Sequence, residues 1–211
     1  MSLARGREFL SIPGPTNVPE AVLAAMHRPA VDIYAQDLLE VTGSLLADLK
    51  KIFRTETAST YIYISNGHGG WEGALTNVLS RGDKVLVLAS GRFAIGWGEA
   101  CGIHGVEVEV MPRSWREAVD PEAVRARLAA DTGHTIKAVL MVQVDTASGV
   151  VNDVPAIRAA LDAAGHPALL MVDGIASIGC IPFEMDAWGV DVAVTASQKG
   201  LMMIPGLAFV A

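Results

Sequence analysis

The chain has 211 residues, 51% hydrophobic and 18% charged, with 16 basic against 23 acidic residues for a net charge of −7. That composition excludes a disordered chain and supplies enough apolar material for a buried core. The acidic balance argues against a nucleic-acid binder, no apolar run reaches the roughly 20 residues of a membrane span, and Cys101 and Cys180 are too few for a disulfide scaffold.

The opening MSLARGREFL lacks the apolar core of a secretory signal, so the reading is a soluble, cytoplasmic protein. Asn17-Val18-Pro19-Glu20 opens a first helix. Asp37–Phe53 follows, with Leu38, Val41, Leu45, Leu49 and Ile52 at helical spacing, which predicts an amphipathic helix with one buried face. Tyr61–Ile64 is the first strand. Ser65-Asn66-Gly67-His68-Gly69-Gly70-Trp71-Glu72-Gly73 then leads into a helical stretch. Further strands are expected at Lys84–Ala89, Val106–Val110, Ile136–Val142, Ala168–Val172, Val190–Val194 and Leu207–Val210. Several are β-branched runs without polar alternation, the pattern of strands covered on both faces. Asp120-Pro121 and Asp153-Val154-Pro155 read as capped helix starts, with Gly165 as a stop. Alternating helices and strands predict an α/β fold with a mostly parallel seven-stranded sheet between helices. The chain stops inside the apolar run Leu207–Val210, and the 211 residues read as the front part of a longer protein.

Four constellations carry candidate chemistry. The glycine-rich turn at 65–73 suits an anion, because backbone N–H groups and a helix N-terminus both favour negative charge. It is neither G-x-G-x-x-G nor a Walker loop, and a simple packed turn fits the local pattern equally well. Asp173 ends a buried strand, where α/β sheets hold ligands; a solvent-facing helix cap is the bland alternative. Lys199, in Thr195-Ala196-Ser197-Gln198-Lys199-Gly200, is the only Lys or Arg after Arg158 and has apolar neighbours. Such a lysine either snorkels to water or reacts as a Schiff-base amine. Asp145-Thr146-Ala147-Ser148-Gly149 offers hydroxyls after a strand, although a turn is the simpler reading. The five histidines form no zinc spacing, and both cysteines read as small buried hydrophobes. At the rim of a parallel sheet, the glycine turn, the aspartate and the lysine together suit a phosphorylated pyridine aldehyde.

With these residues in view, the sequence resembles the class V aminotransferases that use pyridoxal 5'-phosphate, and within them the serine–glyoxylate and alanine–glyoxylate branch. The matching pieces are Pro13-Gly14-Pro15-Thr16-Asn17, Gly69-Gly70-Trp71-Glu72, Gly82-Asp83-Lys84-Val85, Val172-Asp173-Gly174-Ile175-Ala176-Ser177-Ile178-Gly179 and Ser197-Gln198-Lys199-Gly200. The resemblance implies a fold-type I large domain, with residues 1–18 an N-terminal segment and 19–211 the cofactor-binding domain, lacking its small C-terminal domain. It implies that Lys199 holds the cofactor as an internal aldimine and that Asp173 pairs with the pyridine nitrogen. Phe93 and Ile175 would cover the two faces of the ring, Asn66, Gly67, His68 and Gln198 would hold the phosphate, and Thr146 would lie near the ring. It further implies a homodimer, no metal, and transfer of an amino group from serine, alanine or a similar amino acid to a 2-oxo acid such as glyoxylate. Where the family often has a His-Arg pair, this chain reads Asp32-Ile33-Tyr34-Ala35, and His68 replaces a threonine common in bacterial relatives. Another class V enzyme (an aminoethylphosphonate transaminase, a lyase or a desulfurase) and a non-catalytic homologue or fragment are the alternative readings.

Overall fold

A computed structural model describes residues 9–112 and 114–211 of the chain. Residues 1–8, which include most of the opening segment read above, lie outside the described residues. Seven strands form one sheet: β1 (Tyr61–Ile64), β2 (Lys84–Ala89), β3 (Glu107–Pro112), β4 (Ile136–Val142), β5 (Leu169–Asp173), β6 (Val192–Ala196) and β7 (Leu207–Val210). Their order across the sheet is β1-β7-β6-β5-β4-β2-β3. Every neighbouring pair is parallel except the two made by β7, which runs antiparallel to β1 and β6. The expected mostly parallel sheet is therefore present.

The described residues form six helices: α1 (Glu20–Met26) and α2 (Gln36–Phe53) precede β1, while α3 (Gly67–Val78), α4 (Arg92–Ile103), α5 (Pro121–Ala130) and α6 (Val154–Ala163) connect successive strands from β1 to β5. Alternation along each strand sends side chains to opposite faces. In β2, Val85 and Val87 pack with Trp71, Leu75 and Trp97 of α3 and α4, whereas Leu86 and Leu88 pack with Leu49, Leu128, Ile157 and Leu161 on the other face. These two apolar layers sandwich the sheet. The predicted caps form: Asp120 accepts from the Glu122 N–H and Asp153 from the Ala156 N–H, both at 3.0 Å, and Gly165 leaves α6 with φ +60°.

Three expectations are corrected. First, α2 does not bury one whole face. Only its C-terminal end enters the core, through Leu49 and Phe53, while Val41 and Leu45 are about half exposed, at 48% and 47%. Second, β6 runs Val192–Ala196 rather than Val190–Val194, because Thr195 and Ala196 stay in register with Phe209 and Ala208 of β7. Third, Cys101 is a buried hydrophobe as read, but Cys180 is exposed, in the turn after Gly179. No described helix is long and apolar enough to cross a membrane.

Candidate active site

The C-terminal ends of the parallel strands collect the residues singled out in the sequence. A cavity of about 190 Å³ at this rim is lined by Asn66, Gly67 and His68 after β1, Phe93 after β2, Thr146 after β4, Asp173 and Ile175 at the end of β5, and Gln198 and Lys199 after β6. All nine positions expected from the sequence thus border one cavity, together with Trp71, Val142, Val144 and Ala176.

Asp173 sits on the floor, 2% exposed. Burial pushes its carboxyl up to about 7, against hydrogen bonds that favour the ionised form. Its Oδ1 accepts from the Ile175 N–H at 2.7 Å and its Oδ2 from the Trp71 indole N–H at 3.0 Å. The Asp145 charge adds to the upward push and the Lys199 charge opposes it. Trp71 is held in turn by stacking on Trp97, with centroids 5.9 Å apart, and by an edge contact with His68 at 4.7 Å. The sequence reading quoted Trp71 without giving it a role. Its signal was position: Trp71 lies four residues after Gly67, one turn into α3, so it shares the face of α3 that packs on the sheet.

The N-terminus of α3 differs from the others. Asn66 caps it, its Oδ1 accepting from His68 N–H (3.1 Å) and Gly69 N–H (3.4 Å). That cap is neutral. Each of the other five helices carries a carboxylate at its N-terminus: Glu20 on α1, Asp37 on α2, Asp145 against α4, Asp120 and Glu122 on α5, and Asp153 on α6. The positive end of the α3 dipole is thus left for an outside anion, at the edge of the cavity.

Lys199 lies on a tight turn between β6 and β7. Ser197 anchors the turn, its hydroxyl donating to the Ile204 carbonyl at 2.7 Å. The Lys199 carbonyl accepts from Met202 N–H (2.9 Å) and from the Thr16 hydroxyl (3.1 Å), and Thr16 N–H donates to the Gln198 carbonyl (3.1 Å). The segment around Gly14 therefore lies directly on the lysine: a Cβ added at Gly14 would fall 2.5 to 2.9 Å from Cδ, Nζ and Cε of Lys199. Gly14 also has φ +152°, where L side chains are strained. Pro13-Gly14-Pro15 appears in the sequence only as one of the family-matching motifs, and no spacing there points to this contact.

The donor set fits pyridoxal phosphate. An amine, a buried carboxyl able to face a ring nitrogen, and an uncompensated helix N-terminus surround one cavity. Gln198 adds a side-chain amide whose NH2 can donate to an anion and whose oxygen is buried without a partner among the described residues. Nothing comparable favours a metal, since no group of three or more metal-ligating side chains occurs among the described residues. Cys101 is unsuited to attack, because burial pushes its thiol up to about 12.

Fold and cavity together define the large domain of a pyridoxal-phosphate-type enzyme. The chain belongs to the class V aminotransferases, a pyridoxal-phosphate-dependent family whose model matches residues 9–210. It is 47% identical over 199 residues to an L-aspartate–glyoxylate aminotransferase of Paracoccus denitrificans, covering 94% of this chain and 50% of that protein. It is 43% identical over 205 residues to a serine–glyoxylate aminotransferase of Methylorubrum extorquens, covering 97% and 51%. Among solved structures, an aspartate aminotransferase of subgroup IV from Thermus thermophilus superposes with a TM-score of 0.89 at 29% identity, covering 97% of this chain and 56% of that one. The chain spans about half the length of the curated relatives it matches.

Proposed function

We propose that the protein is a pyridoxal-phosphate-dependent aminotransferase that passes an amino group from a small amino acid to glyoxylate or a similar 2-oxo acid. The observation that carries this reading is the meeting of Lys199, Asp173 and the acid-free N-terminus of α3 around one cavity. The names of relatives add weight on the acceptor, which is glyoxylate in both curated proteins described above, while their donors differ between aspartate and serine. Serine, alanine or a near relative such as aspartate is the donor proposed here.

When bound, pyridoxal phosphate supplies an aldehyde that condenses with amines and a ring that draws electron density from the substrate carbon. The chain's own residues do the rest. Asn66, Gly67, His68 and Gln198 would hold the phosphate at the α3 N-terminus. Phe93 and Ile175 would restrict the ring from its two faces, and Thr146 would lie beside it; all three border the cavity. Asp173, buried at the cavity floor, would pair with the ring nitrogen and hold a proton there, an interaction that shielding from water strengthens. Lys199, whose side chain borders the cavity, would hold the cofactor through Nζ, and its free amine would serve as the base and then the acid for the substrate Cα proton.

The active form is proposed to be a homodimer. The half-exposed Val41 and Leu45 of α2, with Val31 and Ile33 before it at 61% and 65% exposure, supply an apolar surface that a second copy would cover. The segment 19–211 is taken as the cofactor-binding domain, working in the cytoplasm.

Borohydride reduction of protein incubated with pyridoxal phosphate, followed by peptide mass mapping, tests the assignment. A stable adduct on Lys199 that is absent from Lys199→Ala is expected. Protein that stays unmodified at saturating pyridoxal phosphate overturns the reading. Light scattering tests the dimer, which Leu45→Glu should convert to monomer.

A further inference from the structure

One buried side chain joins the two loops that flank the reversal point of the sheet. The strand order puts β2 beside β4, yet the chain proceeds from β2 outward to β3 and from β4 the other way to β5. Open α/β sheets hold ligands in the crevice at such a reversal. Here the crevice contains Asp145, which is 0% exposed. Its Oδ2 accepts from the N–H groups of Phe93 (2.9 Å) and Ala94 (3.0 Å), and its Oδ1 accepts from the Ala147 N–H (3.0 Å). The first-turn amides of a helix have no acceptor within the helix. Those of α4 receive theirs from a residue 52 positions away from Phe93, because the local cap position, Gly91, has no side chain to offer.

Gly91 is part of the same device. A Cβ there would lie 2.2 to 2.5 Å from the three carboxylate atoms of Asp145. The missing side chain is thus what lets the carboxylate seat against α4. A carboxylate is also required in place of an amide: with two acceptor oxygens it serves both loops, whereas asparagine has one and would turn a donor toward an N–H. Phe93 and Thr146, the residues that flank these bonds, both line the cavity.

We propose that Asp145 is a positioning residue: its carboxylate staples the Phe93 turn to the Thr146 turn and so fixes the width of the slot that receives the cofactor ring. The proposal rests on the reading of the cavity as a pyridoxal phosphate site, and the staple itself is open to a test that needs no cofactor. In cofactor-free wild-type protein, the amides of Phe93, Ala94 and Ala147 should exchange with solvent deuterium at a common rate, since one opening exposes all three. An Ala147 amide exchanging about 100-fold or more faster than that of Phe93 overturns the staple.

The role in the slot is read from binding and optics rather than turnover. Asp145→Asn should weaken pyridoxal phosphate binding, followed by fluorescence quenching, by about tenfold or more. It should also reduce the visible circular dichroism per bound cofactor, because the ring loses its fixed orientation. A merely structural role would lower the melting temperature and leave that signal intact, and such a result overturns the proposal. Gly91→Ala keeps the charge but displaces the carboxylate, so it should reproduce the Asp145→Asn phenotype. It decides the question if Asp145→Asn does not fold. Wild-type protein that takes up no pyridoxal phosphate overturns the functional reading and the slot with it, whereas a bound wild type beside an unaltered Asp145→Asn overturns the slot alone.

Discussion

The indole N–H of Trp71 donates to Oδ2 of Asp173 at 3.0 Å, linking two residues 102 positions apart in the chain. The bond ties the floor of the cavity to α3, the helix whose N-terminus is offered to an anion. It also favours the ionised form of a carboxyl that burial pushes up to about 7. Trp71→Phe keeps the ring against Trp97 and removes only the donor. Asp173 should then hold its proton more tightly, and the pH at which pyridoxal phosphate binding sets in should rise by about 1. Fluorescence titrations of both proteins between pH 6 and 9 check this; superimposable profiles would remove Trp71 from the site.

Asp173 makes a stability prediction of unusual sign. Its folded value, about 7, lies above the ordinary 3.8. Between these values the unfolded chain releases a proton that the folded chain keeps, so rising pH favours unfolding across this window. The loss approaches about 4 kcal/mol if the whole shift is expressed. Asp173→Asn abolishes this titration. In cofactor-free protein, the melting temperature of Asp173→Asn relative to wild type should therefore climb from pH 4 to pH 8 and then level off. A difference independent of pH would show that burial of this carboxyl costs nothing.

Much of this arrangement is legible in the sequence. β1, β2, β4 and β7 begin and end where their apolar runs do. For β2, β4 and β7, which are largely buried, covering on both faces leaves no polar alternation to blur their limits, whereas β1 is an edge strand with Tyr61 and Ile64 exposed. β6 slips by two residues since its last turn of pairing is carried by Thr195, a polar residue in a fully buried place. Nine of the positions that border the cavity are those that strand ends and family motifs single out in the sequence. The roles of Trp71, Gly14 and Asp145 are not legible there, because each acts through a contact across the chain: 102 residues for Trp71 and 52 for Asp145. Spacing within a segment reports which residues share a face, but not which loops meet at a rim. The α2 expectation failed for a related reason. Helical periodicity marks a face that avoids water without saying whether this part of the chain covers it.

At the opposite end of the sheet, Asp131 and His166 form a buried pair unrelated to the cavity. His166 Nδ1 accepts from the Ala168 N–H at 3.2 Å, so Nε2 carries the hydrogen and donates to Asp131 Oδ2 at 3.2 Å. Asp131 also accepts from the Ile136 N–H and the Thr135 hydroxyl, each at 2.8 Å. Burial alone would raise its carboxyl, but these bonds outweigh it and hold the group well below the usual range. A depressed carboxyl contributes stability above its unfolded value near 3.8 and loses it as pH falls further. Asp131→Ala should destabilise the protein by about 3 kcal/mol at pH 7, by leaving buried donors unpaired. The deficit should shrink below about pH 4. Chemical denaturation at pH 7 and pH 3 checks both, and an equal deficit at the two values would contradict the role of the charge.

Gly14 is the most economical handle on the lysine itself. A methyl group there would enter the space of Lys199 Cδ, Cε and Nζ, on a backbone already at φ +152°. Two things then compete: the 13–16 segment can lift away, breaking the Thr16 bonds to the Gln198 and Lys199 carbonyls, or Lys199 can be driven from its place. In the second case the amine loses its fixed position, and in the first it loses the segment that covers it. Gly14 is partly exposed at the edge of the fold, so the sandwich core is untouched and global stability should hold. The expected signature of Gly14→Ala is a melting temperature close to wild type combined with slower and less complete borohydride trapping on Lys199. A fall in melting temperature with unchanged trapping would mean that the segment supports the fold and leaves the lysine alone. Normal values of both would mean that it yields freely, and that its contact with Lys199 constrains nothing.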